Sequence, residues 1–244
     1  MSKIIVITGA GAGLGRALAR RFAADGESVV LLGRTAAKVE KVASELGAGA
    51  LAVGCDVSSP SSVRAAFATI AARHARIDVL INNAAVYEPF LVAEASDEQI
   101  LKIIATNLTG PILCARAAIA LMGSGAHIIN VSSEVVELPF PQFSLYQSSK
   151  AGLERFSQAL ERELEPAGIR VSVVRAGQMM DADKTWNIDP KAAARFAQAA
   201  LAAGLDLRAR PISQYASVTD VFRALIDLPA DLQAATIMLR ARKL

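Results

Sequence analysis

The chain is poor in the residues that mark several function classes. Only two cysteines, Cys55 and Cys114, occur in 244 residues, so there is neither a disulfide framework nor a metal-type cysteine spacing. The two histidines, His74 and His127, are isolated and read as surface or hydrogen-bonded histidines rather than as ligands. No uninterrupted apolar run approaches the roughly 18 residues that span a bilayer. The N-terminal MSKIIVITG has a four-residue apolar core before Thr8 and Gly9, too short for a secretion signal. No Pro/Gly/Ser-rich linker or charge run divides the chain, so one domain over residues 1–244 is expected. The 26 basic residues against 23 acidic ones give a net charge of +3, but they are scattered, which speaks against a nucleic-acid surface. These absences lead us to expect a cytoplasmic protein with no bound metal, no membrane partner and no nucleic-acid partner.

What is abundant is apolar sequence. The hydrophobic share of 53% exceeds the usual range, as when parallel strands are buried on both faces. Lys3–Thr8 is a β-branched apolar run bounded by glycine and reads as a buried strand. Behind it come Thr8, Gly9, Gly13, Leu14 and Gly15, then a helical pattern to Ala24. Strand, glycine loop and helix in that order suit a pyrophosphate, which needs close backbone approach and the N–H groups of a helix start. Further strands are expected at 28–33, 50–54, 77–81, 126–132, 169–175 and 235–240. Helices are expected at 36–46, from Pro60 to about His74, 96–122 with a kink near Gly110 and Pro111, from Phe143 onward, 190–203 and 217–228. The alternation predicts right-handed βαβ units in an α/β, Rossmann-type doubly wound parallel sheet of about seven strands, with helices on both faces.

Arg34 lies 19 residues past Gly15, near where such folds recognise the adenosine ribose. An acidic residue there binds the 2′-hydroxyl of NAD, whereas this chain has Gly33, Arg34 and Thr35. A guanidinium meets a 2′-phosphate with charge-assisted bonds, which points to NADP(H).

Tyr146 and Lys150 stand four residues apart, on one face if the segment is helical. An ammonium beside a phenol favours the phenolate. Bringing a tyrosine from about 10 to about 7 takes roughly 4 kcal/mol, and would make Tyr146 an acid/base near neutral pH.

Together these residues resemble the short-chain dehydrogenase/reductase family over residues 3 to 178. Thr8, Gly9, Gly13 and Gly15 match its T-G-x-x-x-G-x-G loop, and Asp56, followed by Val57, resembles its aspartate near adenine. Asn82, Asn83, Ala84 and Ala85 resemble its N-N-A-G segment, and Ala176-Gly177 its P-G after strand six. Asn107, Ser133, Tyr146 and Lys150 fall at its catalytic tetrad; Ser133, thirteen residues before Tyr146, has the family spacing and Ser132 does not. The resemblance implies hydride transfer between nicotinamide and a carbonyl or alcohol carbon. Tyr146 would exchange the oxygen proton and Ser133 would bond the oxyanion. Lys150 would tune Tyr146 and hold the nicotinamide ribose, and Asn107 would hold a relaying water. It also implies a homodimer or homotetramer through the long helices, and a substrate-covering segment at 179–217, where Met179, Met180 and Trp186 lie.

Three residues depart from the pattern: Ala85 for glycine, Ala176 for proline and Asp181 for threonine. Ala12 is not the basic residue that many NADP-using relatives carry. The ending, from Thr236, lacks the tail of many acyl-carrier reductases and looks more like relatives acting on hydroxy acids, aldehydes or small ketones. Two roles stay open: an NADP-dependent carbonyl reductase or alcohol dehydrogenase of small to medium substrates, and an NADP-binding regulatory or scaffold protein with little turnover.

Overall fold

The computed structural model describes residues 2–180, 188–229 and 231–243. Seven strands form one parallel sheet: β1 (Ile4–Thr8), β2 (Ser28–Gly33), β3 (Ala50–Gly54), β4 (Val79–Asn82), β5 (His127–Ser133), β6 (Arg170–Ala176) and β9 (Thr236–Leu239). Their order across the sheet is β3-β2-β1-β4-β5-β6-β9. Two short strands, β7 (Met179–Met180) and β8 (Ser213–Gln214), pair separately. The helices are α1 (Gly13–Ala24), α2 (Ala36–Leu46), α3 (Pro60–Arg73), α4 (Asp97–Ile104), α5 (Gly110–Ile119), α6 (Ser144–Leu164), α7 (Pro190–Ala202) and α8 (Tyr215–Ile226).

The strands read as continuous apolar runs because both faces are covered. Ile5 and Ile7 join Leu18 and Phe22 of α1, Val39 of α2 and Phe222 of α8. Val6, from between them, joins Phe67 and Ile70 of α3, Cys114 of α5 and Leu160 of α6. The period-two alternation of a strand thus feeds two separate cores. Phe22 and Phe222 are fully buried, and truncating either to alanine is on the order of 3–5 kcal/mol. Both cysteines are free and buried; burial pushes Cys55 up to about 11 and Cys114 higher still, so neither is a poised thiolate.

The kink expected near Gly110 and Pro111 takes another form. Helix continues through a π-helical turn, Ala105–Thr109, that joins α4 to α5. Pro111 stands at the start of α5, where its missing N–H is tolerated. The wide turn rotates Asn107 inward, and it is fully buried. By length and composition the run Asp97–Ile119, with a mean hydropathy of 1.2, is the one described helix that could cross a membrane. In the fold its Leu113, Cys114, Ala115 and Ala118 lie in the core beside α3. Strand β4 begins two residues later than its apolar run and α8 two residues earlier than expected. The β7–β8 pair had no legible pattern in two residues a side.

His127 is buried in β5, its Nε2 2.8 Å from the Ser172 hydroxyl. That hydroxyl donates to the Ala234 carbonyl, so it accepts from a neutral imidazole. Burial, with Arg170 nearby, pulls His127 down to about 3. The unfolded chain therefore binds the extra proton between about pH 6.5 and 3, and stability falls as pH falls through that window, by at most about 1.4 kcal/mol per unit. We expect urea unfolding to show the parent losing about 1–2 kcal/mol more than His127→Gln between pH 7 and 5; equal losses would clear His127.

Candidate active site

The site forms at the carboxyl ends of β1 and β4, where the strand order reverses and where open α/β sheets bind ligands. The Thr8 hydroxyl accepts the N–H groups of Asn83 and Ala84, each at 2.9 Å, and donates to the Ile81 carbonyl at 3.4 Å. Asn83 returns its amide N–H to the Thr8 carbonyl at 2.9 Å. Two glycines make this approach possible. Gly9 has φ +69°, and a Cβ on it would sit 3.0 Å from Ala84 Cα. A Cβ on Gly15 would sit 2.4 Å from the Gly9 carbonyl oxygen, inside any real contact. Between them Gly13 and Leu14 open α1, whose N-cap Ala12 supplies no side-chain hydrogen bond and whose first turn holds no acid. The helix start thus keeps backbone donors and the positive end of its dipole for an anion. A dinucleotide pyrophosphate fits this cradle.

At the adenosine end, Gly33 ends β2, and Arg34 and Thr35 are exposed. Arg34 makes no hydrogen bond or ion pair with the described residues. Asp56 Oδ1 accepts from the backbone and hydroxyl of Ser58, at 3.0 and 2.6 Å, so part of that carboxylate is spent on its own turn. Val57 is buried against Gly110. Ala84 and Ala85 continue the loop from β4, and Ala176 and Gly177 close β6, where a Cβ on Gly177 would meet the Leu239 carbonyl at 2.6 Å.

Strand alternation separates the paired serines. Ser132 donates to Glu154 Oε1 at 2.6 Å, away from the tyrosine. Ser133, the last residue of β5, accepts from the Val135 N–H at 3.4 Å and lies near enough to the Tyr146 hydroxyl to favour its ionised form. Tyr146 lies in the first turn of α6, with the rings of Phe143 at 5.6 Å and Tyr87 at 5.8 Å. One turn on, Lys150 Nζ donates to the Val131 carbonyl at 2.7 Å and lies 5.9 Å from the Tyr146 ring centroid.

The expected lowering of Tyr146 is not what these groups produce. Burial pushes it up to about 12, which Ser133 offsets only in part, while Tyr87 and Glu134 push the same way. Burial also pulls Lys150 down to about 8, against the raising effect of Glu154. Desolvation disfavours both charged forms, and it is the largest influence on each. Asn107 is likewise spent within the fold: Oδ1 accepts from Val86 N–H and Nδ2 donates to Val86 O, both at 2.8 Å, with Ser149 Oγ 3.2 Å away. It closes the loop from β4 onto α6, and its side chain makes no hydrogen bond to Lys150.

Other site residues carried no sequence signal. Arg210 reaches Glu134, the neighbour of Ser133, at 2.6 Å. Gln142 adopts φ +61°, and its carbonyl accepts from Phe90 N–H at 3.0 Å, which joins the loops on either side of Tyr146. Phe196 of α7 stacks on Phe143 at 4.7 Å. Such long-range pairs have no spacing to read. Asp181 and Trp186 lie outside the described residues.

A parallel sheet of this order, with a glycine cradle at its switch point and a serine, tyrosine and lysine beside it, defines a dinucleotide-binding α/β protein. The short chain dehydrogenase family model matches residues 3–193, and the chain belongs to that family of oxidoreductases. Carbonyl reductase family member 4 of Danio rerio is 33% identical over 197 residues, 80% of this chain and 83% of that protein. A metagenomic short-chain oxidoreductase solved with NADP superposes with a TM-score of 0.81 at 27% identity, covering 100% of this chain and 99% of that one. The 3-ketoacyl-(acyl-carrier-protein) reductase of Brucella melitensis, solved with NADH, gives 0.80 at 26%, covering 97% and 96%. A nicotinamide cofactor is common to those two complexes.

Gly15→Ala should weaken binding of reduced nicotinamide cofactor by at least about tenfold, since its Cβ forces the Gly9 carbonyl out of place. Fluorescence titration against Gly123→Ala, where a Cβ meets nothing within 4 Å, checks this; matched affinities would show the cradle to be irrelevant.

Proposed function

We propose that the protein is an NADP(H)-dependent reductase or dehydrogenase acting on the carbonyl or secondary alcohol of a small to medium substrate. The observation that carries this is Tyr146 set one helical turn from Lys150, whose Nζ lies 5.9 Å from the tyrosine ring centroid, with Ser133 beside them at the end of β5. When bound, the nicotinamide supplies or takes up the hydride. Thr8, Gly9, Gly13, Leu14 and Gly15 would cradle the pyrophosphate, and Asn83, Ala84, Ala85, Ala176 and Gly177 would line the path to the nicotinamide. Arg34 and Thr35 would meet the 2′-phosphate, with Asp56 and Val57 beside the adenine.

In reduction, Tyr146 gives its proton to the substrate oxygen as the carbonyl carbon becomes tetrahedral, and Ser133 donates a hydrogen bond to that oxygen. A phenol held near 12 keeps its proton at neutral pH, which suits the acid role; alcohol oxidation would require a higher pH. Lys150 would hold the nicotinamide ribose, and Asn107 would position the loop from β4 rather than touch the reacting atoms. The covering segment 179–217 would close the substrate side, with α7 docked through Phe196 and through the 2.7 Å Arg195–Glu94 pair. The same elevated tyrosine also favours the second role, an NADP-binding protein with little turnover.

One assay separates the two: NADPH and NADH oxidation against ketones, diketones, aldehydes and quinones. Tyr146→Phe should lower kcat by about 10²-fold or more, and the parent's reduction rate should stay flat from pH 6 to pH 9, where a phenol held near 12 keeps its proton. Arg34→Ala should weaken NADPH by roughly 1.5–3 kcal/mol and leave NADH nearly unchanged. NADPH binding without oxidation of any substrate would favour the regulatory role.

Leu101 and Ile112 are exposed on α4 and α5, and we propose that these helices and α6 build a homodimer or homotetramer. Light scattering should show Leu101→Glu shifting the mass toward monomer; a monomeric parent would sink the assembly.

A further inference from the structure

Glu134 follows Ser133 directly and opens the 3-10 turn Glu134–Val136 that takes the chain off β5. The turn is closed by its own backbone: Glu137 and Leu138 both donate to the Glu134 carbonyl. The Glu134 carboxylate is 90% removed from solvent and faces inward over β6, where a Cβ on Gly177 would lie 3.7 Å from Oε2. A buried charge of this kind needs a partner. Arg210, from the stretch between α7 and β8, supplies it with Nη2 at 2.6 Å, and its guanidinium lies 5.0 Å over the Phe140 ring. Its other amino nitrogen is enclosed and has no hydrogen-bond partner among the described residues, so among those residues Glu134 is the acceptor that holds its amino groups. The same stretch leads into β8, whose Ser213 N–H bonds the Gln178 carbonyl.

We infer that the Glu134–Arg210 pair is a positioning clamp of the site: it ties the 188–213 segment to the Ser133 turn and compensates the Glu134 carboxylate, whose charge acts on the Tyr146 hydroxyl. This rests on the role given above to Tyr146 and Ser133. The ionisable groups around that hydroxyl among the described residues are Glu134 from the turn after β5, Lys150 from α6 and Tyr87 from the loop after β4, with Arg210 opposing Glu134. Removing Glu134's charge therefore eases formation of the phenolate. Removing Arg210's charge leaves Glu134 uncompensated and opposes it. A merely loosened fold would not move the two variants in opposite directions.

The test has two readouts on the full chain. In the first, the pH profile of kcat for alcohol oxidation is measured for the parent, Glu134→Gln, Arg210→Gln and Arg210→Lys. At pH 9, below the limb, kcat should rise about 3- to 10-fold in Glu134→Gln and fall by a similar factor in Arg210→Gln. Arg210→Lys should return toward the parent. In the second, amide hydrogen exchange over 134–138 and 190–214 should lose protection in both glutamine variants. Limbs that coincide or move the same way, with unchanged exchange, would overturn the clamp while leaving Tyr146-dependent turnover standing. A parent without Tyr146-dependent turnover would instead sink the oxidoreductase reading, and the exchange result alone would then decide the clamp.

Discussion

The Thr8 hydroxyl takes the N–H groups of Asn83 and Ala84 while Asn83 grips the Thr8 carbonyl, and the site hangs on that junction. It welds the ends of β1 and β4 where helices leave the sheet toward opposite faces. A hydroxyl has one proton and two lone pairs, and all three positions are used here. The junction closes only because Gly9 and Gly15 carry no Cβ, which lets the loop fold flat and presents the uncapped start of α1. On the other side of Asn83, the Asn107 amide holds Val86 and touches Ser149 of α6. A chain of polar contacts therefore runs from the glycine cradle to the helix that carries Tyr146 and Lys150.

Electrostatics around the tyrosine follow burial before charge pairing. The lysine ammonium is directed to the Val131 carbonyl and sits over the tyrosine ring, 5.9 Å from its centroid. Low polarity around both groups favours the neutral phenol and weakens the ammonium. The carboxylates nearby are each matched: Glu154 by Ser132 and Arg175, and Glu134 by Arg210. The protein thus surrounds a neutral proton-bearing phenol with compensated charges, an arrangement suited to giving a proton rather than taking one.

The family match ends at residue 193, just inside α7. Beyond it lie the rest of that helix, Arg210, β8, α8 and β9. A carbonyl reductase and a 3-ketoacyl-(acyl-carrier-protein) reductase both resemble this chain, so the shared fold does not name the substrate.

Much of this was legible in the residue order. Strand runs, the glycine loop and the four-residue step from Tyr146 to Lys150 are local patterns, set by the two-residue period of a strand and the 3.6-residue turn of a helix. They determined the sheet, its helices and the place of the site, because burying both faces of a parallel sheet leaves few other ways to use such a sequence. The spacing to Tyr146 chose Ser133 over Ser132, and alternation along β5 turns the Ser132 hydroxyl to Glu154. What tertiary structure alone decided are the quantities that depend on neighbours distant in sequence. The phenol is raised rather than lowered, the Asn107 side chain is spent on Val86, and Glu134 is matched by a residue 76 positions away. Desolvation and ion pairing act through space, so a sequence can name the groups but only the fold sets the distances at which they meet.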